Sequence, residues 1–107
     1  MSNTLERIRV LVNKGEVRVS DHGYDELAAD GLLVRDLVAD LPNAEQLEDY
    51  PDFPKGPCVL VLQRNPAGNP IHAVWGIPRG EASPAVLVTA YRPDPARWTD
   101  NFRSRKR

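Results

Sequence analysis

The feature that most constrains this chain is a change of hydrophobic period part-way along it. Up to Pro42 apolar side chains recur at three- and four-residue spacing, and from residue 46 onward they alternate or run on continuously, as in strands. Leu5, Ile8, Leu11 and Val12 predict an amphipathic helix between Thr4 and Gly15, with Asn3 or Thr4 as its cap. Val17 and Val19 alternate with Glu16 and Arg18 in a brief extended run. Ser20 and Asp21, both good N-caps, open a second helix that is expected to carry Tyr24, Leu27 and Ala28 inward and to end near Gly31. Leu33, Leu37, Val38 and Leu41 mark a third short helix, stopped before Pro42.

The second half reads as a meander. Residues 46–50 fit an edge strand, and residues 51–57 hold three prolines and are expected to form a surface loop. Residues 58–64 are almost continuously apolar, and the Asn, Pro and Gly of residues 65–69 turn the chain into a strand ending at Ile77. After a loop over residues 78–84, residues 85–92 complete an antiparallel set. Asp94 before Pro95 is a cap and first-turn pair, predicting a last helix through Trp98 and Phe102. The expected fold is therefore α+β: short N-terminal helices packed on a three- to four-stranded antiparallel meander sheet, with a C-terminal helix.

A chain of 107 residues with 41% apolar content supports one domain, residues 1–107, around a single modest core. It holds no run of about 18 apolar residues, and Met1-Ser2-Asn3-Thr4 lacks a signal-peptide layout, so a cytoplasmic protein is expected. The one cysteine, Cys58, opens an apolar strand and reads as a small buried side chain. The net charge of −1 conceals a split. Residues 1–53 carry five basic and twelve acidic side chains, net −7, and residues 54–107 carry nine and three, net +6. The tail Arg103, Arg105, Lys106 and Arg107 concentrates the positive charge, either as a footprint for phosphates or as the solvated end of a helix.

Alternation puts Ile71, Ala73, Trp75 and Ile77 on one side of their strand and His72, Val74 and Gly76 on the other. If the first set packs on the helices, His72 is left on the open face, where Thr89 or Tyr91 can join it if the register allows; Arg92 points the opposite way. RNA cleavage without a metal needs a base for the ribose 2′-hydroxyl, an acid for the leaving oxygen and a cation for the phosphate. His22, in the first turn of the second helix, and His72 are candidate base and acid, with Tyr91 as a further candidate catalytic group. Thr89, Arg64 and Arg92 are candidates to hold the phosphate. Each has a plainer reading: His22 as a partner of Asp25 or Glu26, His72 as a strand histidine bonded across the sheet, and Tyr91 and Thr89 as ordinary strand residues. No P-loop, dinucleotide glycine pattern or metal-ligand spacing is present, so no metal or cofactor is expected.

Ser20-Asp21-His22 opening a helix, Gly31-Leu32-Leu33 leading to Asp36-Leu37, Tyr50-Pro51, Pro70-Ile71-His72 and Val88-Thr89-Ala90-Tyr91-Arg92-Pro93-Asp94-Pro95 together resemble the domain-of-unknown-function family 4258. The likeness spans roughly residues 17–102 and is best in the final strand and Asp94-Pro95-Ala96-Arg97-Trp98. That family is distantly similar to the RelE, BrnT and barnase-like fold, in which many members are RNase toxins. The resemblance implies a toxin-like fold, RNA as a partner and a small antitoxin protein as another. Members often carry an arginine one helical turn after the helix histidine, where this chain has Glu26, a carboxylate that repels phosphate. The leading expectation is thus a metal-independent ribonuclease or RNA-binding protein of a toxin–antitoxin type system; a non-catalytic protein-interaction module of the same fold is the alternative.

Overall fold

The computed structural model describes residues 2–99 and 101–106, and Arg107 lies outside them. The helical half folds as its spacing predicts, into α1 (Thr4–Asn13), α2 (Asp21–Asp30) and α3 (Val34–Asp40). Ser20 caps α2, its Oγ accepting from Gly23 N at 2.9 Å, and Gly31 ends it in the left-handed conformation that glycine adopts freely. Tyr24, expected inward, is instead exposed, as is Ala28. Gly23 and Leu27, one helical turn apart, occupy the packing side of α2, and a residue next to Gly23 is rotated out by about 100° per position.

The strands are β1 (Val17–Val19), β2 (Glu45–Tyr50), β3 (Cys58–Arg64), β4 (Pro70–Gly76) and β5 (Ala85–Tyr91), in the order β1-β5-β4-β3-β2. The meander is antiparallel as expected, but the sheet has five strands rather than three or four and is mixed. The fifth comes from the brief Val17–Val19 run, which lies parallel to β5, the last strand of the chain; Ala85 N donates to Glu16 O and Ser20 N to Leu87 O.

All three helices pack on one face. Leu5, Ile8 and Leu11 of α1, Leu27 of α2 and Leu37 of α3 meet Val59, Val61, Ile71, Ala73, Trp75 and Leu87 in one core. Gln63 is buried in that core and fully used: Nε2 donates to Leu37 O at 2.8 Å and Oε1 accepts the Trp75 indole N–H at 2.9 Å.

The expected C-terminal helix does not form. Asp94 starts a single turn, its Oδ1 accepting from Ala96 N and its carbonyl from Arg97 N. The polar residues that follow then bond locally instead of continuing: Thr99 Oγ1 donates to Asn101 Oδ1, which also accepts Arg103 N. Residues 97–99 and 101–106 fold back on one another as an irregular hairpin, with Thr99 N donating to Ser104 O, Lys106 N to Arg97 O, and an antiparallel bridge between Trp98 and Arg105. This strap lies across the sheet face opposite the helices.

Candidate active site

The register sorts the strap-side face into three rows. Tyr91, His72, Leu62 and Glu45 form one, Thr89, Val74, Leu60 and Glu48 the next, and Arg18, Val86, Gly76, Cys58 and Tyr50 the third. Two irregularities make the rows possible. Glu45 and Glu48 are three residues apart and would face opposite sides of a regular strand, but the ladder skips Leu47, and both carboxylates emerge on the strap side. Skipping Val88 likewise aligns Val86 with Thr89 and Tyr91.

His72 therefore stands on the side expected from alternation, directly opposite Tyr91 with ring centroids 5.6 Å apart. Its surroundings differ from the expectation, because the face at this point is not open. The side chain has 0% of its surface exposed. Trp98 of the strap meets the imidazole edge to face at 4.2 Å between centroids and 88° between planes. The Phe102 carbonyl, 2.8 Å from His72 Nε2, can only accept, so the ring is the Nε2–H tautomer. Nδ1 is then a bare lone pair, buried with no hydrogen-bond partner among the described residues. Phe102 itself has φ 59°, a conformation that costs a non-glycine residue about 1–3 kcal/mol and persists only where surrounding contacts enforce it. Burial pulls the His72 pKa below its ordinary value, and the Arg105 cation adds to the effect against the hydrogen bond to Phe102 and the Glu48 charge. Burial also raises the Tyr91 pKa. The pair is a neutral imidazole beside a protonated phenol.

The strap is fixed at its margin by two forked ion pairs. Arg103 Nε and an Nη donate to the Glu45 carboxylate at 2.6 and 2.9 Å, and Arg105 reaches Glu48 twice at 3.2 Å. The Arg105 guanidinium also lies 4.7 Å from the Trp98 ring centroid. These bonds hold the Glu45 and Glu48 pKa values below the usual carboxylate range. Arg103 and Arg105, expected to meet phosphate, are thus joined to carboxylates of the same chain, while the Lys106 side chain is exposed and Arg107 lies outside the described residues.

The remaining candidates are dispersed. His22 is exposed on α2, which packs through Leu27 on the opposite face from His72, and its Nε2 lies 3.6 Å from Glu26. Thr89 shares the His72 face, one row away. Arg92 turns toward α2, where its backbone N–H meets Asp30 Oδ2 and its Nε meets Asp30 O. Arg64 is exposed, donates to Gly68 O within the hairpin turn, and has its backbone N–H on Asp40. Trp98, Phe102, Glu45 and Glu48 were not anticipated. The signal for the two glutamates, a pair of acids three apart in a strand, is readable only once the skip at Leu47 is known.

Among the described residues no group of three or more His, Cys, Asp or Glu side chains converges as a metal site, and no helix is long and apolar enough to cross a membrane. The family model of a domain of unknown function, DUF4258, matches residues 19–92. No significant match was found among curated proteins or solved structures. The family match ends before the strap, which begins five residues after Arg92.

Proposed function

The chain belongs to the DUF4258 family, and on that premise we propose that it is a toxin-like, metal-independent ribonuclease whose site, the His72–Tyr91 pair, is held shut by its own strap. One observation carries this reading: His72 Nδ1 is a buried lone pair with no hydrogen-bond partner among the described residues. Buried polar atoms are rarely left so, and each exception calls for an explanation, of which a catalytic role is one. With the strap lifted, a neutral imidazole can take the proton of a ribose 2′-hydroxyl, and the Tyr91 phenol, protonated at neutral pH like any tyrosine, can give one to the leaving oxygen. The arginines released from Glu45 and Glu48 become available for phosphate. The protein would act on RNA in the cytoplasm and answer to an antitoxin that favours the closed strap.

The competing reading is a non-catalytic interaction module of the same fold. What favours it is the use of Arg103 and Arg105 within the chain, together with Glu26 beside His22.

The experiment is to incubate structured and single-stranded RNA, in chelator, with the intact protein and with its Glu45→Gln/Glu48→Gln variant. The loosened variant is expected to cleave faster than the parent and to leave cyclic phosphate ends, and adding His72→Gln is expected to remove the gain. A loosened variant that leaves RNA intact, or cleaves as well without His72, would overturn the ribonuclease.

A further inference from the structure

The third row on the strap side, Arg18-Val86-Gly76-Cys58-Tyr50, crosses all five strands and is left uncovered by the strap. It floors a cleft of about 460 Å³, within the range of clefts that enclose small organic molecules. Gly76 makes the depression: a Cβ there would lie 3.2 Å from both Cys58 Cβ and Pro57 O, so any side chain would rise into the space. Tyr50, Phe53 and Val88 stand around it 43%, 47% and 36% exposed, and three apolar side chains left in water around one concavity mark a binding surface.

The charge is one-sided. Arg18 and Lys55 line the cleft and no carboxylate does. Neither cation is joined to an acidic side chain among the described residues. Arg18 lies two strand positions from Gly76, about 10 Å at the usual strand spacing, so its guanidinium can reach over the cleft. The lining is otherwise nearly all apolar, which disfavours a nucleobase or sugar, whose donors and acceptors would be left unpaired. Aromatic walls favour a ring over a flexible chain.

We propose that this cleft is a binding site for a small aromatic carboxylate, its ring lying over Gly76 between Val88 and the aromatic side chains of Tyr50 and Phe53, its carboxylate forked by Arg18 with Lys55 adding charge. The site is separate from His72 and does not depend on the ribonuclease reading.

The test titrates the intact protein with 2-naphthoate, following amide shifts by NMR, alongside 2-naphthalenemethanol and adenosine monophosphate. Naphthoate is expected to bind saturably, with shifts confined to residues around Gly76, and about tenfold more tightly than the alcohol, the difference one charge-assisted contact typically supplies. Arg18→Gln is expected to remove most of that difference, Lys55 keeping the remainder, while leaving the alcohol's affinity unchanged, and Val88→Trp to block both. Equal binding of acid and alcohol, tighter binding of the nucleotide, an Arg18→Gln variant that binds naphthoate like the parent, or no saturation in the millimolar range would each overturn the proposal.

Discussion

His72 gives its Nε2–H to the carbonyl oxygen of Phe102, thirty residues later in the chain, and the 2.8 Å bond joins the centre of the sheet to the middle of the strap. A single neutral hydrogen bond is worth about 0.5–1.5 kcal/mol net, so this contact alone does not hold the strap down. Its orientation matters more, since it commits the other nitrogen to being an acceptor without a donor among the described residues.

That commitment makes the strap acid-sensitive. Above pH about 6.5 His72 is neutral folded and unfolded and contributes no pH dependence. As pH falls through that value the unfolded chain takes up a proton that the buried ring resists, so stability is expected to drop down to the lowered folded pKa. Thermal melts between pH 7.5 and 5 should show the decline, and His72→Gln should flatten it at some cost in stability at neutral pH. A parent protein whose melting point is level across that range would contradict the burial of a titratable ring.

The Glu48–Arg105 pair is more than half exposed on the arginine side, 61% against 29% for the glutamate. A double-mutant cycle with Glu48→Gln and Arg105→Gln is expected to give a coupling of about 0.2–1 kcal/mol that shrinks as salt is raised. Trp98 emission should shift to the red in either single variant, because Arg105 also covers the indole. Coupling that is unaffected by salt would place the pair in a drier setting than its exposure implies.

Gln63 is the reverse case, a buried amide with both ends engaged. Gln63→Leu strands the Trp75 N–H and the Leu37 carbonyl, and is expected to destabilise the domain by roughly 2 kcal/mol or more, each orphaned group costing about 1–3 kcal/mol. Adding Trp75→Phe should cost less in that background than in the parent, because the stranded donor leaves with the indole. Chemical denaturation of the three variants measures this, and additive losses would show that the bond contributes little.

Gly23 sets how closely α2 approaches β5. A Cβ at this position would fall 2.8 Å from Leu87 O and 3.1 Å from Val88 O, both backbone atoms that cannot rotate away. Gly23→Ala is expected to destabilise by about 1–3 kcal/mol as the helix is pushed off the sheet, outweighing the better helix propensity of alanine. A variant as stable as the parent by denaturant titration would mean that α2 shifts without cost.

Periodicity made most of the fold legible. The three helices and the alternation through Ile71, Ala73 and Trp75 read correctly, since each depends on neighbours within the same element, while the inward face of α2 and the place of Leu33, the exposed cap of α3, did not. The parallel addition of Val17–Val19 was not legible, because its partner is the last strand of the chain and such distant adjacency is a tertiary property. The C-terminal helix was misread from Asp94-Pro95, a valid start signal followed by Thr99 and Asn101, whose side chains satisfy the backbone locally. For the site, the side of the sheet taken by His72 followed from alternation, its pairing with Tyr91 needed the register, and its enclosure depended on a segment whose path no local pattern announces.

The skip at Leu47 acts as a phase setting for the whole edge strand. Restoring a regular ladder by deleting one residue between Glu45 and Glu48 would leave the two acids an even step apart and still side by side. Deleting the irregularity while keeping the spacing would turn one of them to the helical side and release an arginine. Spacing and irregularity thus compensate one another, and among homologous chains a shortened β2 with its two acids still in register would be the mark that both have changed together.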